Sequence, residues 1–236
     1  MDIKIQAVPV LKDNYAWLLH SEAGGTIVVD PGQSEPVRKA LGDRRLDAIL
    51  LTHYHSDHTA GADALKQAYG AMIYGPDNVA ASVDTAVKGG EQLTFAGVKI
   101  DVLSTPGHAE GHVSYVQPDV PALFTGDVLF SGGCGRLFDG TAAEMFASLR
   151  LYDPLPDNTL VCAGHEYTEA NLAFIAAHTA QPNDAFQQRY REVKALREQG
   201  KPTLPVALKV ERETNPFLQA RTVEELAHWR HLKDQA

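Results

Sequence analysis

Cysteine is scarce in this chain: Cys134 and Cys162 are the only two in 236 residues. That is too few for a disulfide framework, and both sit in apolar or glycine-rich surroundings that suit a reducing compartment. No apolar run approaches the roughly 18 residues that a membrane-spanning helix needs, so no membrane partner is expected. The opening MDIKIQAVPV has no basic segment followed by an apolar block. No secretory leader is therefore expected, and the expected location is cytoplasmic. Internal repeats and low-complexity tracts are also missing. Basic charge is in short supply as well. A net charge of −9 argues against a nucleic-acid partner, whose footprint is a basic face.

The charge that is present is unevenly placed. From Glu166 onward basic and acidic side chains balance at 10 each, so the first 165 residues hold 11 basic and 20 acidic ones. An anionic small ligand would find its cations more readily near the tail. The texture of the chain changes at the same point. Short β-like runs (IKIQAV, YAWLLH, GTIVVD, LDAILL, AMIYG, EQLTF, VKIDVL, HVSYV, ALFTGD and TLVCAG) fill the first part, bounded by Gly, Pro, Asp or Asn. Helical spacing appears between them in SEPVRKALG, in HTAGADALKQAYG and in TAAEMFASLRLY, whose Thr and Glu three residues on predict a capping box. Beyond Glu166 the helical stretches are EYTEANLAFIAAHT, NDAFQQRYREVKALREQG and, after a proline-containing loop, TVEELAHWRHLKDQ. This reads as a strand-rich domain over 1–165 and a small helical domain over 166–236, with helices layered outside mixed sheets.

Histidine is where the sequence concentrates its chemistry. Of 10 histidines, three fall in LTHYHSDHTAG beside an aspartate: His53, His55, Asp57 and His58. Side chains alternate along an extended segment, so His53 and His55 face the same side. The turn into the following helix re-aims Asp57 and His58, and one stretch can offer two ligands to each of two adjacent positions. Imidazole and carboxylate donors suit zinc, iron or manganese. Other strand ends supply the rest: His108 and His112 in STPGHAEGHVSYV, Asp127 after ALFTG, and His165 after LVCAG. Spacing alone leaves His108 and His112 as alternatives. His20, His178, His228 and His231 have no such partners, and no metal role is expected for them.

These motifs resemble the metallo-β-lactamase superfamily, whose H-x-H-x-D-H signature is shared by lactonases, β-lactamases, nucleases and persulfide dioxygenases. Within it the chain is similar to the glyoxalase II (hydroxyacylglutathione hydrolase) family, through VLKDNYAWLL, FTGDVLFSGGCGRLFDGTAAEM, AGHEYTEANLAF, ERETNPFL and RHLKD. The resemblance implies an α+β fold, an αββα sandwich followed by a small α-helical C-terminal domain. It implies two divalent ions, zinc first, with iron or manganese also accepted. His53, His55 and His112 would hold one ion, and Asp57, His58 and His165 the other. Asp127 would bridge them, and His108 would be a supporting residue. Asp57 and Asp127 would serve catalysis, with Asp30 behind the ligands. Glutathione would meet Arg136, Tyr167, Arg230 and Lys233, with Phe138 standing where some members have tyrosine. The implied reaction is hydrolysis of the thioester S-D-lactoylglutathione and related 2-hydroxyacylglutathiones to D-lactate and glutathione, the second step of methylglyoxal detoxification. A hydroxide bridging the two ions would attack, and the enzyme is expected to work as a monomer.

Overall fold

The computed structural model describes residues 3–22 and 24–236. The first sheet runs β1 (Ile3–Val10), β2 (Asn14–Ser21), β3 (Thr26–Val29), β4 (Ala48–Leu50), β5 (Met72–Gly75) and β6 (Thr85–Ala86), side by side in chain order. β1, β2 and β3 pair antiparallel, and β3 to β6 are parallel. Parallel neighbours need a crossover, and α1 (Ser34–Leu41) supplies the first, while α2 (Ser56–Thr59) and α3 (Ala62–Tyr69) supply the second.

The continuous apolar runs of these strands follow from burial on both faces. Trp17, Leu19, Ile27, Val29 and Leu50 enter the core between the sheets. Their neighbours Leu18, Val28 and Ile49 face the other way, into a second core with Val37 and Leu41 of α1 and Leu65 of α3. HTAGADALKQAYG, expected as one helix, is broken in two. The Gly61 amide donates to the Pro31 carbonyl at 2.9 Å, which draws the chain out of the helical path between α2 and α3.

The second sheet begins with β7 (Gln92–Phe95), β8 (Val98–Ser104), β9 (Val113–Gln117) and β10 (Ala122–Gly126). A small hairpin follows, β11 (Leu129–Phe130) and β12 (Gly133–Cys134), then α4 (Ala142–Arg150) and β13 (Leu160–Ala163). The capping box expected at Thr141 and Glu144 is present at the start of α4. The helix sends Met145 and Leu149 into the inter-sheet core.

Beyond β13 lie α5 (Thr168–His178), α6 (Asp184–Glu198), β14 (Val206–Ala207), α7 (Leu208–Thr214), α8 (Pro216–Gln219) and α9 (Val223–Asp234). Leu172, Phe174, Ile175, Phe186 and Val193 form their own core. This segment departs from the sequence reading in two ways. Val206 pairs with Val161, so β14 extends the second sheet. The expected loop around Pro216 also folds, because Asn215 caps α8 by accepting the Phe217 amide and Pro216 occupies its first turn, where no amide hydrogen is needed. Among the described residues no helix is long and apolar enough to cross a membrane.

Candidate metal centre

Residues following β3, β4, β8, β10 and β13 gather on one rim of the sandwich. There His53, His55, His108 and Asp127 bring ligand atoms within 4.8 Å of one another, and so do Asp57, His58 and His165. Asp127 stands between the groups. Its Oδ1 is 3.3 Å from His58 Nε2, and its Oδ2 is 3.3 Å from His165 Nε2 and 3.5 Å from His108 Nε2.

The hydrogen bonds behind the rings determine which nitrogen each presents. Thr52 donates its hydroxyl to Asp30 Oδ2 at 2.7 Å, so the Thr52 oxygen is left to accept from His53 Nδ1 at 2.9 Å. His58 Nδ1 donates to Asp30 Oδ2 and His165 Nδ1 to Asp13 Oδ1, each at 3.0 Å. His108 Nδ1 donates to the Arg136 carbonyl at 2.8 Å. All four rings therefore turn Nε2 toward the cluster, the usual way a protein orients metal-binding histidines. Asp57 is held by Asn14 Nδ2 at 2.8 Å. The supporting role expected of Asp30 is matched by its position, whereas Asp13 at the end of the β1–β2 turn and Asn14 at the start of β2 have no expected role in the sequence reading.

His112 differs from the expectation. It is fully buried, stacked on the His53 ring at 4.9 Å, and absent from both ligand groups. Its Nδ1 lies 2.9 Å from Thr105 Oγ1, and its Nε2 accepts the Asp127 amide at 3.3 Å, so its lone pair is already used. The backbone presses close here: a Cβ at Gly126 would fall 2.6 Å from His112 Nε2 and 2.5 Å from Thr52 Oγ1, and φ at Gly126 is +49°. A side chain at that position would displace the histidine. It is His108, and not His112, whose ring nitrogen stands within the cluster that could hold an ion.

The donor set fits divalent cations. His55 Nδ1 lies 3.0 Å from His53 Nε2 and 3.1 Å from His108 Nε2, and one proton cannot serve both contacts. Asp127 Oδ1 is buried and accepts no hydrogen bond. Such convergence of lone pairs is unfavourable unless a positive charge sits among them.

Protonation divides the cluster. Burial, reinforced by His58 and His112, holds His53 well below the usual imidazole range, and burial also lowers His108. Burial opposes charge on His58 too, but Asp127 and Asp30 outweigh it and hold the ring well above its ordinary value. At His165 bonds to Asp127 and Asp57 overcome burial and raise the pKa to about 10. Metal binding needs neutral imidazole donors, so it must displace the proton that these carboxylates favour on the His58–His165 pair. Ion uptake by metal-stripped protein at pH 7 is therefore expected to release protons, and affinity should weaken as pH falls. Calorimetry in buffers of different ionisation enthalpy measures this, and uptake without proton release would refute it.

Beside the cluster opens a cavity of about 320 Å³, lined by His108 and Asp127 at one end and by Arg136, Phe138, Tyr167, Arg230 and Lys233 beyond. Phe138 is 59% exposed and meets the His55 and His108 rings edge-on at 5.5 and 5.4 Å. Tyr167 stacks on His165 at 4.6 Å. Arg230 is buried, with Nη1 donating to the Cys134 carbonyl at 2.9 Å and Nη2 pairing with Asp234 at 2.8 Å. All five residues expected to meet glutathione thus line one cavity that shares a wall with the metal ligands.

Residues 11–165 match the family model of the metallo-beta-lactamase superfamily, and residues 166–236 match that of the hydroxyacylglutathione hydrolase C-terminus. A hydroxyacylglutathione hydrolase of Xanthomonas campestris pv. campestris is 45% identical over 226 residues, covering 94% of this chain and 88% of the relative. One from Erwinia tasmaniensis is 42% identical over 227 residues, covering 94% and 89%. Among solved structures, ETHE1 from Myxococcus xanthus superposes with a TM-score of 0.73 at 26% identity, covering 98% of this chain and 90% of that one. The BLEG-1 B3 metallo-beta-lactamase superposes with a TM-score of 0.65 at 28% identity, covering 69% and 91%. With the αββα sandwich, the His/Asp rim and the helical C-terminal segment all in place, the chain belongs to the metallo-β-lactamase superfamily and, within it, to the hydroxyacylglutathione hydrolases.

Proposed function

We propose that the protein hydrolyses S-D-lactoylglutathione and related 2-hydroxyacylglutathiones to D-lactate and glutathione. The observation that carries this reading is the shared wall: His108 and Asp127 belong both to the ligand cluster and to the cation-lined cavity. A glutathione thioester lying in the cavity would present its acyl carbon to the cluster. His53, His55 and His108 would hold one divalent ion and Asp57, His58 and His165 the other, with Asp127 shared. Zinc is the ion proposed first, and the same nitrogen and oxygen donors accept iron or manganese. When bound, two such ions supply Lewis acidity and an ionised water at neutral pH.

The chain's own residues bind and orient the substrate. Glutathione carries two carboxylates, and Arg136 and Lys233 of the cavity lining offer them cations. Phe138 and Tyr167 supply flat apolar walls on either side of the metal cluster. A thiol with a pKa near 8.5 departs readily as thiolate, which suits a thioester substrate. The test compares turnover of lactoylglutathione with that of a simple acetyl thioester while metal content is measured on the same sample. Replacing either Arg136 or Lys233 by alanine is expected to raise KM for lactoylglutathione by about 10- to 100-fold, with kcat and bound metal little changed, since one lost charge-assisted bond is worth about 1.5–3 kcal/mol. An unchanged KM would remove the cavity from substrate binding.

A further inference from the structure

The hairpin β11–β12 joins the two halves of the site. Asp127 precedes it by two residues, Phe130 lies within it, and Arg136 and Phe138 follow it. Two residues per strand are too few to hold a hairpin in place, so its path must be set from outside. Its upstream end is tied into the second sheet, because the Gly164 amide donates to the Gly126 carbonyl at 2.9 Å. Its turn and downstream strand lean on the C-terminal segment instead.

A buried carboxylate and a buried amide hold that turn. Glu211 of α7 is 0% exposed; its Oε1 accepts the Ser131 hydroxyl at 2.6 Å and its Oε2 accepts the Gly132 amide at 2.8 Å. Asn215 is equally buried, and its Nδ2 reaches the Phe130 carbonyl at 3.1 Å, the Gly133 carbonyl at 3.1 Å and Glu211 Oε2 at 3.0 Å. Asn171 of α5 donates to the Ser131 carbonyl at 3.1 Å. Burial pushes the Glu211 carboxyl up, and the three donors pull against it. A packed hydrophobic side chain would serve stability at least as well as a buried charge. What the polar pair adds is direction, since the Gly132 amide and the Phe130 and Gly133 carbonyls are each fixed by one of its bonds. Neither residue lines the cavity or approaches the metal ligands.

We propose that Glu211 and Asn215 are positioning residues for the thioester: they lock the hairpin so that Arg136 and Phe138 stand at a fixed offset from Asp127. The proposal rests on the hydroxyacylglutathione hydrolase reading. Loosening the clamp lets the Arg136 and Phe138 side chains shift, while the Arg136 carbonyl stays on His108 Nδ1 and Asp127 stays tied into the sheet. Glu211→Ala is therefore expected to raise KM for lactoylglutathione about tenfold. Two bound ions, kcat within about threefold, and unchanged turnover of an acetyl thioester lacking glutathione should accompany it. Glu211→Gln keeps an acceptor oxygen for Gly132 and Asn215 while its amide donates to the Ser131 hydroxyl, and should restore KM to within about twofold. A wild-type KM in Glu211→Ala, or an equal loss on both thioesters, would overturn the proposal. Should Glu211→Ala fail to fold, Ser131→Ala removes one bond of the clamp and should raise KM about threefold, and an unchanged KM there would be equally fatal. Wild-type protein inactive on lactoylglutathione would instead strike down the functional reading, and the positioning role with it.

Discussion

Replacing Asp127 by alanine is expected to strip both ions and lower turnover by at least about a thousandfold, the scale set by losing charge stabilisation at a reacting centre. Among the described residues, the carboxylate is the one acidic group within reach of His58, His108 and His165 together. It is buried, which by itself would raise its pKa, yet His58 and His165 hold it well below the usual carboxylate range. Two divalent ions bring four positive charges, and removing one of the two proposed carboxylate ligands leaves Asp57 alone to offset them. Asp127→Asn keeps the shape and loses the charge, so it should fall between wild type and alanine. Metal analysis and turnover on the same sample decide the matter, and an active Asp127→Ala protein holding two ions would end the assignment.

The second large effect separates two histidines four positions apart. His108→Ala should leave one ion per chain and reduce turnover about a thousandfold, comparable with losing a group that acts directly at the reacting centre. His112→Ala should keep two ions and instead lower stability by about 2–4 kcal/mol, because it empties a fully buried site beneath the His53 ring. Thermal unfolding and metal counting on the two variants give opposite patterns under this assignment. If His112→Ala loses an ion while His108→Ala retains both, the assignment suggested by family resemblance is right and the geometric one is wrong.

The change to helical texture after Glu166, the strand runs and the H-x-H-x-D-H cluster were legible because each is local. Alternation of side chains along a strand and the turn into a helix place His53, His55, Asp57 and His58 whatever the rest of the chain does. Asp127 and His165 were legible as glycine-then-ligand endings of apolar strands. The β14 strand and helices α7 and α8 were read as a loop, although Asn215 followed by Pro216 is a helix-start signal. With them went the clamp on the hairpin, because nothing near Glu211 in the sequence points to Ser131, 80 positions away.

Residue type and spacing alone thus determined that this chain would offer clustered imidazoles and carboxylates at the ends of buried strands, and that cations would wait in its tail. Which ring nitrogen faces the cluster was decided only in three dimensions. His108 is turned inward by the carbonyl of Arg136, and His112 is spent on the amide of Asp127. Those partners lie 28 and 15 residues away in the chain. A lone pair is directional, and its direction depends on the bond made behind it, which exists only once distant segments have packed.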